Sequence, residues 1–296
     1  MSVRLGSSLG AAPARAFAER LQSAPDQRLA QALVGLVGHL SEMVDEFRVS
    51  REEMRAILEF LTEVGETCSE HRQEWVLLAD TLGLTSCVEN SIARRPDGST
   101  PNTMPGPFYR ADAPVRANGA SISLDGVGAP LTLEFRVTDL DSEPVSGARL
   151  EIWHANGAGL YENQDPDHQP EFNLRGIYTT DERGQVQIRT IRPAGYDVPS
   201  DGPVGRLMSS LGVSLKRPAH LHCRITAPGF DVLTTHVFDA SDPAIAADPL
   251  FAVHPQLLIE FKRKQGAEWY AEYCFVLARQ PRSAGKQHHF TKGGNS

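Results

Sequence analysis

The hydrophobic pattern of this chain changes period once, and it does so across a stretch that suits neither helix nor strand. Between Ala14 and Ala93 apolar residues recur at steps of three and four: Leu33, Leu36, Val37, Leu40 and Val44, then Met54, Ile57, Leu58 and Leu61. Each set is the stripe of an amphipathic helix. Ser50 followed by Glu53 has the form of a capping box that opens the second one. Trp75 to Val88 is apolar on more than one side, so that segment is expected to be helical and covered. From Arg94 to Ala113 the sequence is RRPDGSTPNTMPGPFYRADA, rich in helix breakers, and reads as a linker.

Beyond the linker the period falls to two. Leu131, Leu133, Phe135 and Val137 alternate with polar residues, as do Leu150 and Ile152, and Val186, Ile188 and Thr190. Leu221–Ala227, Val232–Phe238, Leu257–Lys262 and Trp269–Leu277 are further strand candidates. Turn signals such as Asp141-Ser142-Glu143-Pro144 and Ala227-Pro228-Gly229 separate them. No helix long enough for a parallel crossover lies between these strands, so the expectation is an antiparallel β-sandwich behind an all-helical N-terminal domain. The expected boundaries are 1–104 for the helical domain, 105–281 for the mainly β domain and 282–296 for a disordered polar tail. The tail holds His288 and His289, which are given no ligand role, and residues 1 to about 12 are expected to fray.

Composition narrows the partners. The 296 residues carry a net charge of −8, which opposes binding to nucleic acid or anionic lipid and favours a small-molecule partner. No apolar run is long enough to span a bilayer, and no charged-then-apolar leader is visible, so a cytoplasmic chain is expected. Cys68, Cys87, Cys223 and Cys274 are scattered with no paired spacing, and read as reduced core thiols.

The sharpest local feature is Arg217-Pro218-Ala219-His220-Leu221-His222 at the start of an apolar strand. Side chains alternate faces along a strand, so His220 and His222 point the same way and can offer two imidazoles to one metal. An H-x-H alone also describes two polar residues on a solvated face. Two of the six tyrosines, Tyr161 in WHANGAGLYEN and Tyr196 in RPAGYDVPSDGPVG, lie in Gly-rich stretches expected to be irregular, where a binding residue can be aimed by a rigid scaffold. Each alone is equally a ring packed under a loop.

Taken together, GPFYR (106–110), WHANGAGLY (153–161), LRGIYTTDERG (174–184), IRPAGYDVPSDGPVG (191–205), RPAHLH (217–222), APGF (227–230) and LTTHVF (233–238) resemble the intradiol aromatic-ring dioxygenases in order and approximate spacing. The resemblance covers roughly Asp80 to Leu277, and the helices fit the catechol-type branch. It implies one mononuclear non-haem iron(III) per subunit, held by Tyr161, Tyr196, His220 and His222. Hard phenolate donors suit ferric iron, whereas zinc seldom takes tyrosine. It further implies insertion of both atoms of O2 into an ortho-dihydroxy aromatic, with Tyr196 as the tyrosinate that accepts a substrate proton. Arg217 would stabilise the anionic ring, and His236 stands where catechol-cleaving members carry glutamine.

The resemblance also implies pocket residues: Leu77 and Asp80 from the third helix, Gly106, Pro107 and Phe108 from the linker, Val198 and Pro199, and Phe251 and Ala252. The SDGPVG and TTHVF segments resemble hydroxyquinol-cleaving members more than catechol-cleaving ones, and Asp80 replaces a proline of the latter. An acid there can accept a hydrogen bond from an extra ring hydroxyl. The expected substrate is therefore hydroxyquinol (1,2,4-trihydroxybenzene), with catechol or chlorocatechol as the enzymatic alternative. Met104 and Pro105 stand where larger aliphatics are expected. A homodimer through the helices, with phospholipid in a hydrophobic tunnel, is a further implication of the family. The competing classes are a silent β-sandwich binding module, which has no need of two tyrosines and an H-x-H together, and a zinc hydrolase, for which no carboxylate base is identifiable.

Overall fold

The computed structural model describes residues 11–70, 72–92, 95–263 and 268–280; the expected disordered tail, with His288 and His289, lies outside them. The described residues divide into two compact units, one ending at Glu63 and one beginning at Val64. The first unit holds α1 (Ala11–Arg20), α2 (Gln27–Phe47) and most of α3 (Arg51–Thr67). Asp26 caps α2 by accepting the Leu29 N–H at 2.9 Å. At the start of α3 Ser50 and Glu53 exchange the two hydrogen bonds of a capping box, at 2.8 and 3.1 Å, as the sequence predicts.

The second unit opens with α4 (Glu74–Thr81) and α5 (Leu84–Ile92). The single covered helix expected over Trp75–Val88 is instead broken at Gly83, whose φ of 74° lies in the left-handed region that ends helices. Trp75, Val76, Leu82, Leu84 and Val88 are exposed in this chain. Of the four cysteines expected in the core, Cys223 is buried, Cys68 half-buried, and Cys87 and Cys274 exposed.

Two sheets follow. The four-stranded sheet has the order β10 (Lys262–Arg263), β11 (Trp269–Leu277), β1 (Pro130–Asp139), β4 (Gln185–Ile191). The five-stranded sheet runs β3 (Arg175–Thr179), β2 (Arg149–Trp153), β7 (His220–Thr226), β8 (Leu233–Asp239), β9 (Leu258–Ile259). A short ribbon pairs β5 (Tyr196–Asp197) with β6 (Lys216–Arg217). The expectation of wholly antiparallel pairing fails at β1–β11 and β8–β9, which are parallel. Parallel strands cannot be joined by a tight hairpin and need a longer crossover connection. Between β1 and β11 the intervening strands make that return journey, and between β8 and β9 the largely irregular chain of residues 240–257 makes it.

One apolar core draws on both sheets, with Leu131, Leu133, Phe135, Ile188 and Phe275 from the first and Leu150, Ile152, Leu221, Cys223, Ile225 and Val237 from the second. The opposite face of the five-stranded sheet is buried too, under irregular chain. The linker is stitched to strands by its backbone: Thr100 N–H donates to Val276 O at 3.0 Å and Thr103 N–H to Thr234 O at 2.8 Å. The stretch around Tyr196, expected to be irregular, contains β5 and then helix α6 (Pro203–Ser210). Pro203 occupies the first turn of α6, where a missing N–H costs nothing.

His154 joins the two sheets. It follows β2, and its ring nitrogens meet Ala155 O at 2.8 Å and the Thr190 hydroxyl of β4 at 2.7 Å. Burial, opposed by the Ala155 carbonyl and reinforced by the charge of Arg175, pulls its pKa down from 6.5 to about 4. The unfolded chain therefore binds a proton there that the folded chain refuses. The contribution is fully present above about pH 6.5 and is lost as pH falls towards 4, up to about 3 kcal/mol. Urea unfolding across this window should show a shallower loss of stability in His154→Asn than in the parent protein; equal slopes would mean that His154 is not held neutral.

Candidate metal centre

Strand register brings three imidazoles into one place. Leu221, Cys223 and Ile225 of β7 face the core, so His220 and His222 share the other face. Across the ladder Trp153 of β2 stands opposite His222, and His222 opposite His236 of β8. All three histidines are buried, and one ring nitrogen from each lies within 4.8 Å of the others. Trp153 stacks on His222 with ring centroids 4.8 Å apart and planes 12° apart. The Pro218 carbonyl holds His220 Nδ1 at 2.7 Å, which leaves Nε2 facing Tyr196 Oη at 3.5 Å and the Arg217 guanidinium at 3.3 Å.

Tyr161 lies in irregular chain after β2, and Tyr196 opens the short strand β5. Tyr161 is 1% exposed, Tyr196 half-buried, and their rings meet edge to face at 5.9 Å. Tyr161 also lies edge-on to His222, 6.2 Å between centroids. Gly159 permits this approach: its φ is 82°, and a Cβ there would sit 2.8 Å from Tyr196 Cβ. Gly106 plays the same part above His222, with φ 69° and a notional Cβ 3.1 Å from His222 Cε1.

The electrostatics fit a metal ion. Tyr161 Oη, His222 Nδ1 and His236 Nε2 are buried and have no hydrogen-bond partner, a costly state for polar atoms. Burial, and then the neighbouring Tyr196, push the Tyr161 phenol well above its ordinary value. Burial pushes His220 and His222 well below theirs, with the Arg217 charge adding at both. A cation bound here would ionise the Tyr161 phenol and use the lone pairs of neutral imidazoles.

Arg217 is 2% exposed. Burial opposes its charge, but the Tyr196 phenol and the Asp248 carboxylate outweigh that and hold its pKa above the ordinary value. Asp248 accepts from Arg217 Nε at 3.2 Å and from the Ala252 N–H at 3.0 Å. A second buried pair, Arg175 and Glu162 at 2.6 Å, lies beside Tyr161, with the Arg175 guanidinium 5.7 Å from the Tyr161 ring. Arg175 also donates to Phe108 O, and the Phe108 ring stacks on Tyr161 at 4.3 Å.

Around this centre Leu77, Val198 and Ala252 share an apolar cluster with Met104, Phe238, Leu250 and Leu257. Asp80 on α4 is half-buried and accepts from the Thr85 hydroxyl at 2.5 Å. Burial raises its pKa, against that hydrogen bond and the charge of Arg217. Pro107, Pro199 and Phe251 are exposed and do not join the cluster; the Phe251 ring lies instead over Gly83. Sequence reasoning passes over Thr103, Trp153, Glu162, Arg175 and Asp248. Arg175 and Trp153 stand inside motifs that carry the resemblance, whereas nothing local marks Asp248.

Two phenols, imidazoles on one strand face and a paired arginine make a site with the donor chemistry to hold a metal ion. A family model described as dioxygenase matches residues 104–281, and one described as catechol dioxygenase N terminus matches residues 26–100. Hydroxyquinol 1,2-dioxygenase of Rhizobium sp. is 41% identical over 272 residues, covering 88% of this chain and 92% of that one. 6-chlorohydroxyquinol 1,2-dioxygenase of Cupriavidus pinatubonensis is 36% identical, covering 89% and 95%. Among solved structures, hydroxyquinol 1,2-dioxygenase of Pseudomonas putida DLL-E4 superposes with a TM-score of 0.87 at 34% identity, covering 92% of this chain and 99% of that one. Acinetobacter radioresistens catechol 1,2-dioxygenase gives 0.77 at 27%, covering 94% and 96%. The chain belongs to the intradiol ring-cleavage dioxygenase family, and is an enzyme of that class.

Removing one partner of a buried ion pair strands the other charge. Asp248→Ala should therefore destabilise the protein by about 3 to 5 kcal/mol in urea unfolding; a loss near zero would mean that Arg217 finds another counter-charge.

Proposed function

We propose that this enzyme opens the ring of hydroxyquinol between its two adjacent hydroxylated carbons, adding both atoms of O2 to give 3-hydroxy-cis,cis-muconate, the tautomer of maleylacetate. The observation that carries the reading is the buried Tyr161 phenol, unpartnered beside Tyr196, His220 and His222. Two ionised phenols and two neutral imidazoles make a donor set suited to iron(III). Ferric iron bound by it would supply the Lewis acidity that holds both oxygens of an ortho-diol and makes the ring reactive towards dioxygen.

The chain's own residues supply the rest. Tyr196 is the more accessible phenol and lies beside His220 and Arg217, so its phenolate is the group that takes a proton from the incoming diol. Arg217, kept charged by Asp248, lies against the same imidazole and stabilises negative charge on the ring. His236 presents a third imidazole to the bound substrate. Leu77, Val198 and Ala252 form an apolar wall, and Phe108, Gly106 and Pro107 border the side of Tyr161 and His222. Asp80, in electrostatic reach of Arg217, accepts a hydrogen bond from the third ring hydroxyl. The similarity of the chain to hydroxyquinol-cleaving relatives supports this substrate.

The two sheets form a β-sandwich catalytic domain, residues 105–281, and the helices before it a dimerisation domain. Exposed Leu36, Leu40, Phe47, Ile57 and Leu58 on α2 and α3 support a homodimer through these helices. No described helix is long and apolar enough to cross a membrane, which accords with a cytoplasmic enzyme.

Pure enzyme should show a visible tyrosinate-to-iron band that shifts when hydroxyquinol is added without oxygen. Tyr161→Phe and Tyr196→Phe should each alter the band; wild-type spectra in both would reject the ligand set. For substrate, Asp80→Ala should lower kcat/KM for hydroxyquinol by about tenfold or more while changing that for catechol little. A parent enzyme that prefers catechol or 4-chlorocatechol would overturn the role of Asp80.

A further inference from the structure

Thr103 belongs to the linker, yet its side chain reaches the metal centre. Two hydrogen bonds tie this stretch to β8: Thr103 N–H donates to Thr234 O at 2.8 Å, and the Thr235 hydroxyl donates to Pro101 O at 2.8 Å. They set the Thr103 hydroxyl 2.5 Å from His236 Nδ1. Thr103 is 7% exposed and His236 fully buried. The hydroxyl has one proton to give. Among the described residues it meets no acceptor other than His236 Nδ1, and a buried hydroxyl that gives its proton to nothing is costly. The proton therefore goes to Nδ1, and a neutral imidazole that accepts at Nδ1 carries its own proton on Nε2.

His236 Nε2 is buried and has no partner in the protein. The His236 ring lies 4.2 Å from His222 and 5.0 Å from His220, centroid to centroid. A protonated Nε2 has no lone pair for a metal, although the ring sits among groups that could hold one. It has a hydrogen to donate, and the acceptors that enter this space are the oxygens of a bound diol.

Resting on the reading of the site given above, we propose that Thr103 is a positioning residue that fixes His236 in its Nε2–H form, so that the third imidazole is a hydrogen-bond donor to the substrate oxygens and not a third histidine ligand. The same tie explains how three histidines can crowd one face while only His220 and His222 bind metal. Thr103 thereby couples the linker to substrate binding: a shift of the linker along β8 would withdraw the hydroxyl and release the tautomer.

The test is a double-mutant cycle on the full-length iron enzyme. Thr103→Val removes the donor at nearly constant volume, and should weaken anaerobic hydroxyquinol binding, read from the shift of the visible band, and lower kcat/KM, each by about tenfold. Thr103→Ser should restore both. In a His236→Leu background Thr103→Val should add no further loss; His236→Phe serves if the leucine variant does not fold. An equal loss with and without His236, a serine variant as poor as valine, or no effect of Thr103→Val would overturn the proposal. So would a folded His236 variant that no longer holds iron, because His236 would then be a ligand. Failure of the underlying reading would look different, since the parent enzyme itself would lack the band and the ring cleavage.

Discussion

The five-stranded sheet is buried on both faces, and only one of the two covers is a hydrophobic core. Leu150, Ile152, Leu221 and Cys223 turn inward to meet the other sheet. Trp153, His222 and His236 turn outward, in register, beneath irregular chain. Polar side chains on a buried face must find partners or bear a desolvation cost. That constraint organises everything around them: the Pro218 carbonyl takes His220 Nδ1, Thr103 takes His236 Nδ1, and Trp153 covers the His222 ring. What these contacts leave over, the Tyr161 phenol and single nitrogens of the histidines, is the chemistry of the site.

Charge is held there in the same way. Arg217 and Arg175 are both almost fully buried, and the carboxylates of Asp248 and Glu162 lie beside them. Each pair also binds backbone or ring: Asp248 gathers the Ala252 N–H, and Arg175 reaches the Phe108 carbonyl under the ring that stacks on Tyr161. The pairs therefore set the shape of the pocket walls as well as the local field. A net charge of −8 says little about this site, because the charges within it are local and buried.

Much of the fold is legible along the chain. The helical stripes, the capping box at Ser50 and most of the strands appear where local periodicity puts them. The misses share a cause. Gly83 breaks a helix that apolar residues continue on either side, α6 starts at a proline that reads as a breaker, and β3 is hidden because LRGIYTT is too short and too buried to alternate. Parallel pairing of β1 with β11 joins segments from opposite ends of the domain, and no local pattern encodes it.

The sequence by itself determined that His220 and His222 share a strand face, that two tyrosines sit in turn-rich segments, and that a linker separates helical from strand periodicity. These follow from backbone geometry over a few residues, and ordered motifs extend them to a family. Only the tertiary structure decided that His236 stands opposite His222, that Thr103 reaches its ring, and that Asp248 pairs with Arg217. Those outcomes depend on strand register and on loops closing over long separations, where the balance of burial and hydrogen bonding is settled by the whole domain.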